Sequence, residues 1–244
     1  MSSISEKIEQ TIKQFSEDIQ KAFGSEVISI VLYGSAVSKE FIPKKSDLNF
    51  LVVLTAKGIE QIEKVHKLFP KWIKKQVALP LFLTREYIQA SMDSYPIEFF
   101  NMQCSYRVIR GEDVLKDLSL KKEDIRLQCE RELKGKLLQL RQAFILTKGQ
   151  SKALKTLIGQ SIVTFTSIFR ALLSLHGKEI PREKQEVILA ACREFTEIEE
   201  RLFSELLEIK NTGKKVSKEQ LQRDVQKYIK QIQALSESVD QMKF

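Results

Sequence analysis

The chain has 244 residues, 43% of them hydrophobic, and 40 Lys or Arg against 32 Asp or Glu give a formal net charge of +8. This is the composition of an ordinary soluble protein, long enough for one large domain or two small ones, each with a real core. Cys104, Cys129 and Cys192 are isolated from one another, which excludes a disulfide framework or zinc cluster, and they read as buried small apolar residues. With only His66 and His176, a His-rich metal site or a Ser-His-Asp hydrolase is disfavoured, so a general base is expected to be a carboxylate.

The N-terminus, MSSISEKIEQ, has no basic region followed by an apolar one, so no secretory signal is read and the cytoplasm is the expected location. Ser3 and Glu6 make a capping box, and Ile4, Ile8, Ile12, Phe15 and Ile19 follow at helical spacing until Gly24. VISIVLY (27–33) and DLNFLVVL (47–54) are short, β-branched and bounded by turn residues, which predicts two strands. Residues 57–75 carry a mostly helical pattern interrupted by Pro70, and His66 falls within it as a half-buried position. LFL (81–83) is a short apolar run, Thr84 is the N-cap of a helix over TREYIQASM, and PIEFFNMQ (96–103) and SYRVIRG (105–111) are two further strand candidates.

From Gly111 onward only helical spacing remains, near 121–147, 151–176, 182–194, 197–210 and 217–242, with Ser217 capping the last. The stretch TLIGQSIVTFTSIF is too short to span a bilayer and reads as a buried core helix. The fold class expected is therefore α+β: a mixed sheet with helices over 1–112, then a helical bundle over 113–244, hinged around 111–122. Residues 1–112 hold 15 basic and 13 acidic side chains and 113–244 hold 25 and 19, so the bundle supplies +6 of the +8. Such an excess suits an anionic partner and is equally compatible with plain solubility.

The residues that carry chemistry lie at the ends of the first two strands. Gly34-Ser35 follows the first, eleven residues intervene, and Asp47-Leu48-Asn49 opens the second. Side chains at 47 and 49 share one face of a strand, and a Gly-Ser turn lets backbone N–H groups and a hydroxyl approach phosphate oxygens. Glu98, between apolar neighbours, is placed on the 96–102 strand as a third acid, although an alternating strand can also simply present such a residue to water. Lys44 and Lys45 adjoin the turn, and a loop lysine pair is usually solvated. Arg131, Arg141 and Arg170 are phosphate-binding candidates on charge alone.

In motif and spacing this region resembles the DNA polymerase β-like nucleotidyltransferase superfamily, and the two-part layout is similar to the antibiotic (aminoglycoside) nucleotidyltransferases. The resemblance covers the first half in motif and the remainder in architecture. It implies nucleotide contacts at Gly34 and Ser35, magnesium ligation by Asp47, Asn49 and Glu98, and Asp47 with Glu98 as the catalytic acids. The substrates implied are a nucleoside triphosphate, ATP foremost, and a hydroxyl-bearing acceptor bound between the domains. The departure is Asn49, an amide where the family has a second acid.

Two readings follow: a magnesium-dependent nucleotidyltransferase weakened at Asn49, or a degenerate nucleotide-binding or protein-interaction module. A nucleic-acid-modifying reading rests on charge alone, and no membrane partner is expected.

Overall fold

The computed structural model describes residues 6–37, 41–43 and 46–244 of the chain, which forms two compact units, Met1–Leu120 and Lys121–Phe244. The capping box at Ser3 and the Lys44-Lys45 pair fall outside the described residues.

The first unit opens with α1 (Glu6–Phe23), whose Ile12, Phe15, Ile19 and Phe23 are buried at helical spacing. The chain then runs through β1 (Val27–Tyr33), β2 (Asn49–Leu54), α2 (Ala56–Ile59), α3 (Phe69–Ile73), β3 (Leu81–Leu83), α4 (Arg85–Ala90), α5 (Pro96–Cys104) and β4 (Tyr106–Gly111). The four strands form one mixed sheet in the order β3-β2-β1-β4, with β1 antiparallel to both β2 and β4 and β2 parallel to β3. Strand alternation sends Ile30, Leu32, Phe50, Val52 and Leu54 to one face, where they pack with α1 and Trp72. Val31, Leu51 and Val53 point to the other face, against Ile88 of α4, Phe99 and Met102 of α5, and Leu115 and Leu118. Because Leu115 and Leu118 belong to this second layer, the first unit extends to Leu120, beyond the residue 112 boundary read from sequence.

The second unit consists of α6 (Lys122–Leu146), α7 (Ser151–Ser161), α8 (Thr166–Leu175), α9 (Lys184–Glu194), α10 (Glu200–Thr212) and α11 (Lys218–Gln241). A single 3-10 turn, Ile162–Phe165, joins α7 to α8. By length and composition Ser151–Leu175 would suffice to cross a membrane, but 56% of its most apolar window is buried. Leu154, Leu157, Ile158, Ile162, Phe165, Phe169 and Leu172 are all in the core, as the helical spacing predicts. Ser217 accepts a hydrogen bond from the Gln220 amide at 3.1 Å and so caps α11.

Three expectations from sequence need correction. The 96–102 segment is helix, not strand: Pro96 occupies the first turn, where its fixed φ and missing N–H cost nothing, and Phe99 and Met102 face the sheet three residues apart. Residues 57–75 break into short pieces, which leaves His66 exposed rather than half-buried. Cys104, at the end of α5, is exposed, whereas Cys129 and Cys192 are buried. Burial pushes the Cys129 thiol up and raises that of Cys192 to about 12, so neither forms a reactive thiolate near neutrality. A native-state titration with an aromatic disulfide should therefore count one fast thiol per chain, and a Cys104→Ser variant none; two or more fast thiols would show that the bundle opens readily.

Candidate functional site

The candidate site is built where β1 ends and β2 begins. Tyr33 pairs with Asn49 on one side and with Tyr106 on the other, so these three side chains stand in a row on the face that α5 covers. Gly34 then turns the chain with φ of +80°, a value an L side chain rarely adopts, into the 3-10 turn Gly34–Val37. Its position is held from two sides. The Gly34 N–H donates to the Ser105 carbonyl at 2.9 Å, and the Ser105 hydroxyl donates to the Gly34 carbonyl at 3.3 Å. A Cβ at Gly34 would lie 3.5 Å from Nδ2 of Asn49, so the Gly-Ser turn and the Asp-x-Asn strand are in direct apposition.

The second half of the site is fixed through Leu48. Its N–H donates to the Gln76 carbonyl at 2.8 Å, its carbonyl accepts from the Ala78 N–H at 3.0 Å, and its side chain is buried on the α1 face. With Leu48 locked inward, the residues on either side project the opposite way. Asp47 is exposed and Asn49 is half-buried. Ser35 is half-buried, while Ala36 beside it is fully buried and pins the turn to the core. Burial raises the Tyr33 phenol above its ordinary value, and burial with the Asp113 carboxylate, to which its hydroxyl donates at 3.1 Å, does the same for Tyr106. Both tyrosines are therefore neutral at physiological pH.

Of the residues singled out from sequence, Gly34, Ser35, Asp47 and Asn49 lie at this strand end. Glu98 is exposed in the first turn of α5, not on a strand beside Asp47. The helix passes over the same sheet face, but its end near Gly34 is Ser105, and Glu98 lies seven residues earlier, roughly 10 Å of helical rise away. The strand that does flank β1, β4, reads Tyr106-Arg107-Val108-Ile109-Arg110-Gly111 and contains no carboxylate. Arg107, on the α1 face, is held by Glu9 through two hydrogen bonds of 2.9 and 3.0 Å. A groove of about 340 Å³ lies there between α1 and β4. It is on the face away from Asn49 and is separate from the candidate site.

This donor set does not fit a two-magnesium centre. Such a centre needs carboxylates that bridge ions about 4 Å apart, and a neutral amide bridges poorly. The Asp-x-Asn motif offers one carboxylate, Asp47, beside an amide, and among the described residues no group of three His, Cys, Asp or Glu is placed to hold a metal ion.

No family model matches the sequence, and no curated protein matches it either. Among solved structures, the chain is similar to the spectinomycin adenyltransferase AAD(9) from Enterococcus faecialis, crystallised with ATP and spectinomycin. The TM-score is 0.53 at 16% sequence identity, with 92% of this chain and 98% of that one covered. The polymerase β-like nucleotidyltransferase fold expected from the motif is thus the fold of this chain, helical second half included.

Proposed function

We propose that the chain binds a nucleoside triphosphate, ATP foremost, at the Gly34-Ser35 turn and the Asp47–Asn49 strand end, and releases it without nucleotidyl transfer. The observation that carries this reading is the apposition of Gly34 and Asn49, with an amide where the family that the motif resembles has a second acid. The adenyltransferase of the same fold was crystallised with ATP, which supports a nucleotide as the ligand. In the proposed complex the Ser35 hydroxyl and the turn's backbone meet the phosphates, and Asp47 faces the solvent side of the cleft.

A second reading, slow transfer to a hydroxyl-bearing acceptor with Asp47 and Glu98 as the acids, is favoured by α5 lying on the same sheet face as Asn49. An assay with ATP labelled at the α-phosphate, magnesium and pools of polyhydroxylated acceptors separates the two. The first reading expects label that binds and is recovered as ATP. Magnesium-dependent transfer, lost in both Asp47→Asn and Glu98→Gln, would replace it with the second.

A further inference from the structure

The longest helix of the bundle is apolar on two sides. Ile125, Cys129, Leu133, Leu137 and Leu140 of α6 face the core. Leu127, Leu138 and Ile145 instead recur within about 20° of one another on the opposite side, at the centre of the solvent face. They are 47%, 59% and 74% exposed, and Leu146 beside them is 78% exposed. A surface helix of a globular protein is expected to be polar there.

Cations flank the same side. From Leu133 to Lys178 the sequence holds eight Lys or Arg and no Asp or Glu; of these Lys155, Arg170 and Lys178 are bonded elsewhere in the bundle, and Glu123 and Asp124 stand only at the N-terminal end of the stripe. Arg131 lies along the apolar stripe, and Lys148 and Lys152 lie at the turn joining α6 to α7; all three are exposed, with no carboxylate within ion-pair distance among the described residues. Lys134, by contrast, is paired with Glu130 and Asp240.

We infer that this outer face of α6, continued to the α6–α7 turn, docks the protein on an anionic lipid surface. Aliphatic side chains at the centre of the face enter the headgroup boundary, and the flanking cations meet lipid phosphates, which is the arrangement of an interfacial helix rather than a spanning one. Charge argues against a second copy of the chain, because the cations would face one another. Chemistry argues against single-stranded nucleic acid, because the stripe offers aliphatic groups where bases need aromatic platforms. The expectation of no membrane partner rested on the lack of a spanning segment, and surface docking requires none.

The test is co-sedimentation of the full chain with phosphatidylcholine vesicles, with and without phosphatidylglycerol. Partitioning to the anionic vesicles alone, weakened by added salt, is the expected result. Arg131→Gln/Lys148→Gln/Lys152→Gln should lower the partition coefficient roughly a hundredfold. Leu138→Ser/Ile145→Ser/Leu146→Ser should lower it at least about tenfold. Arg182→Gln/Arg201→Gln/Lys210→Gln, which removes three bundle cations elsewhere, should leave it within about twofold. Absence of binding to anionic vesicles, equal loss in the third variant, or no loss in the apolar one would overturn the inference. So would a dimer in vesicle-free solution that the apolar variant dissociates, or capture of single-stranded RNA that the cation variant alone abolishes.

Discussion

Asn49→Asp should give the protein a magnesium-dependent ATP affinity that the parent lacks. The substitution sets a second carboxylate beside Asp47 on the same strand face, opposite Gly34, where the backbone already brings the Gly-Ser turn. Without metal, the added charge faces the triphosphate. At about 5 Å and an effective dielectric near 20 the repulsion is of order 3 kcal/mol before screening, so metal-free affinity should fall about tenfold or more. With magnesium, two carboxylates can hold a cation that one carboxylate and an amide hold poorly, so affinity should recover to at least the parent level. Calorimetric titration in EDTA and in magnesium reads both arms. A variant identical to the parent in both buffers would mean that residue 49 does not face the phosphates.

Trp72→Ala should cost the first unit about 3–5 kcal/mol, as expected for deleting a fully buried aromatic side chain. The indole is 0% exposed. Its edge meets Phe15 at a centroid distance of 5.4 Å, and Phe15 stacks on Phe50 of β2 at 4.2 Å. The consequence reaches the site as well as the core. The Trp72 carbonyl accepts from the Lys75 and Val77 N–H groups at 2.9 and 3.1 Å, shaping the turn that puts Gln76 at φ of +61°. The Gln76 carbonyl in turn holds the Leu48 N–H, between Asp47 and Asn49. Denaturant unfolding followed by circular dichroism should show the loss, together with a weaker ATP affinity in the folded variant. A change under about 1 kcal/mol would show that Phe15 and Phe50 pack equally well without the indole.

The Trp72 phase also marks where sequence reading stopped. Ile59, Ile62, Val65, Phe69 and Ile73 suggest one helix, and Val65 and Phe69 are buried as that spacing predicts, but the chain breaks into short pieces, so Ile62 and Ile73 are exposed and Trp72 is buried. Periodicity assumes an unbroken helix, and Pro70 alone did not reveal how far the phase slips. By contrast, β1 and β2 were legible because alternation, β-branching and flanking turn residues agreed. The Asp47–Asn49 pair was legible for the same reason, since Leu48 is apolar and had to face inward.

Glu98 was misplaced because Ile97-Glu98-Phe99 imitates strand alternation over three residues. A short apolar run is ambiguous between strand and helix, and the deciding signal was Pro96 at the first helical position. The error mattered for function, because it supplied the third acid that β4 does not carry. The second apolar stripe of α6 went unread since the buried one at Leu133, Leu137 and Leu140 already satisfied the helical pattern.

The claim on which the account stands is that ATP binds at the end of β1 and the start of β2. Amide chemical shifts of the 28.2 kDa chain, followed during an ATP titration in metal-free buffer, test it without any substitution. The account expects saturable shifts concentrated at Gly34–Val37 and Asp47–Phe50, with Ser105 following through its bonds to Gly34. No saturable shift, or shifts confined to the Arg107–Glu9 groove or to the bundle, would contradict it.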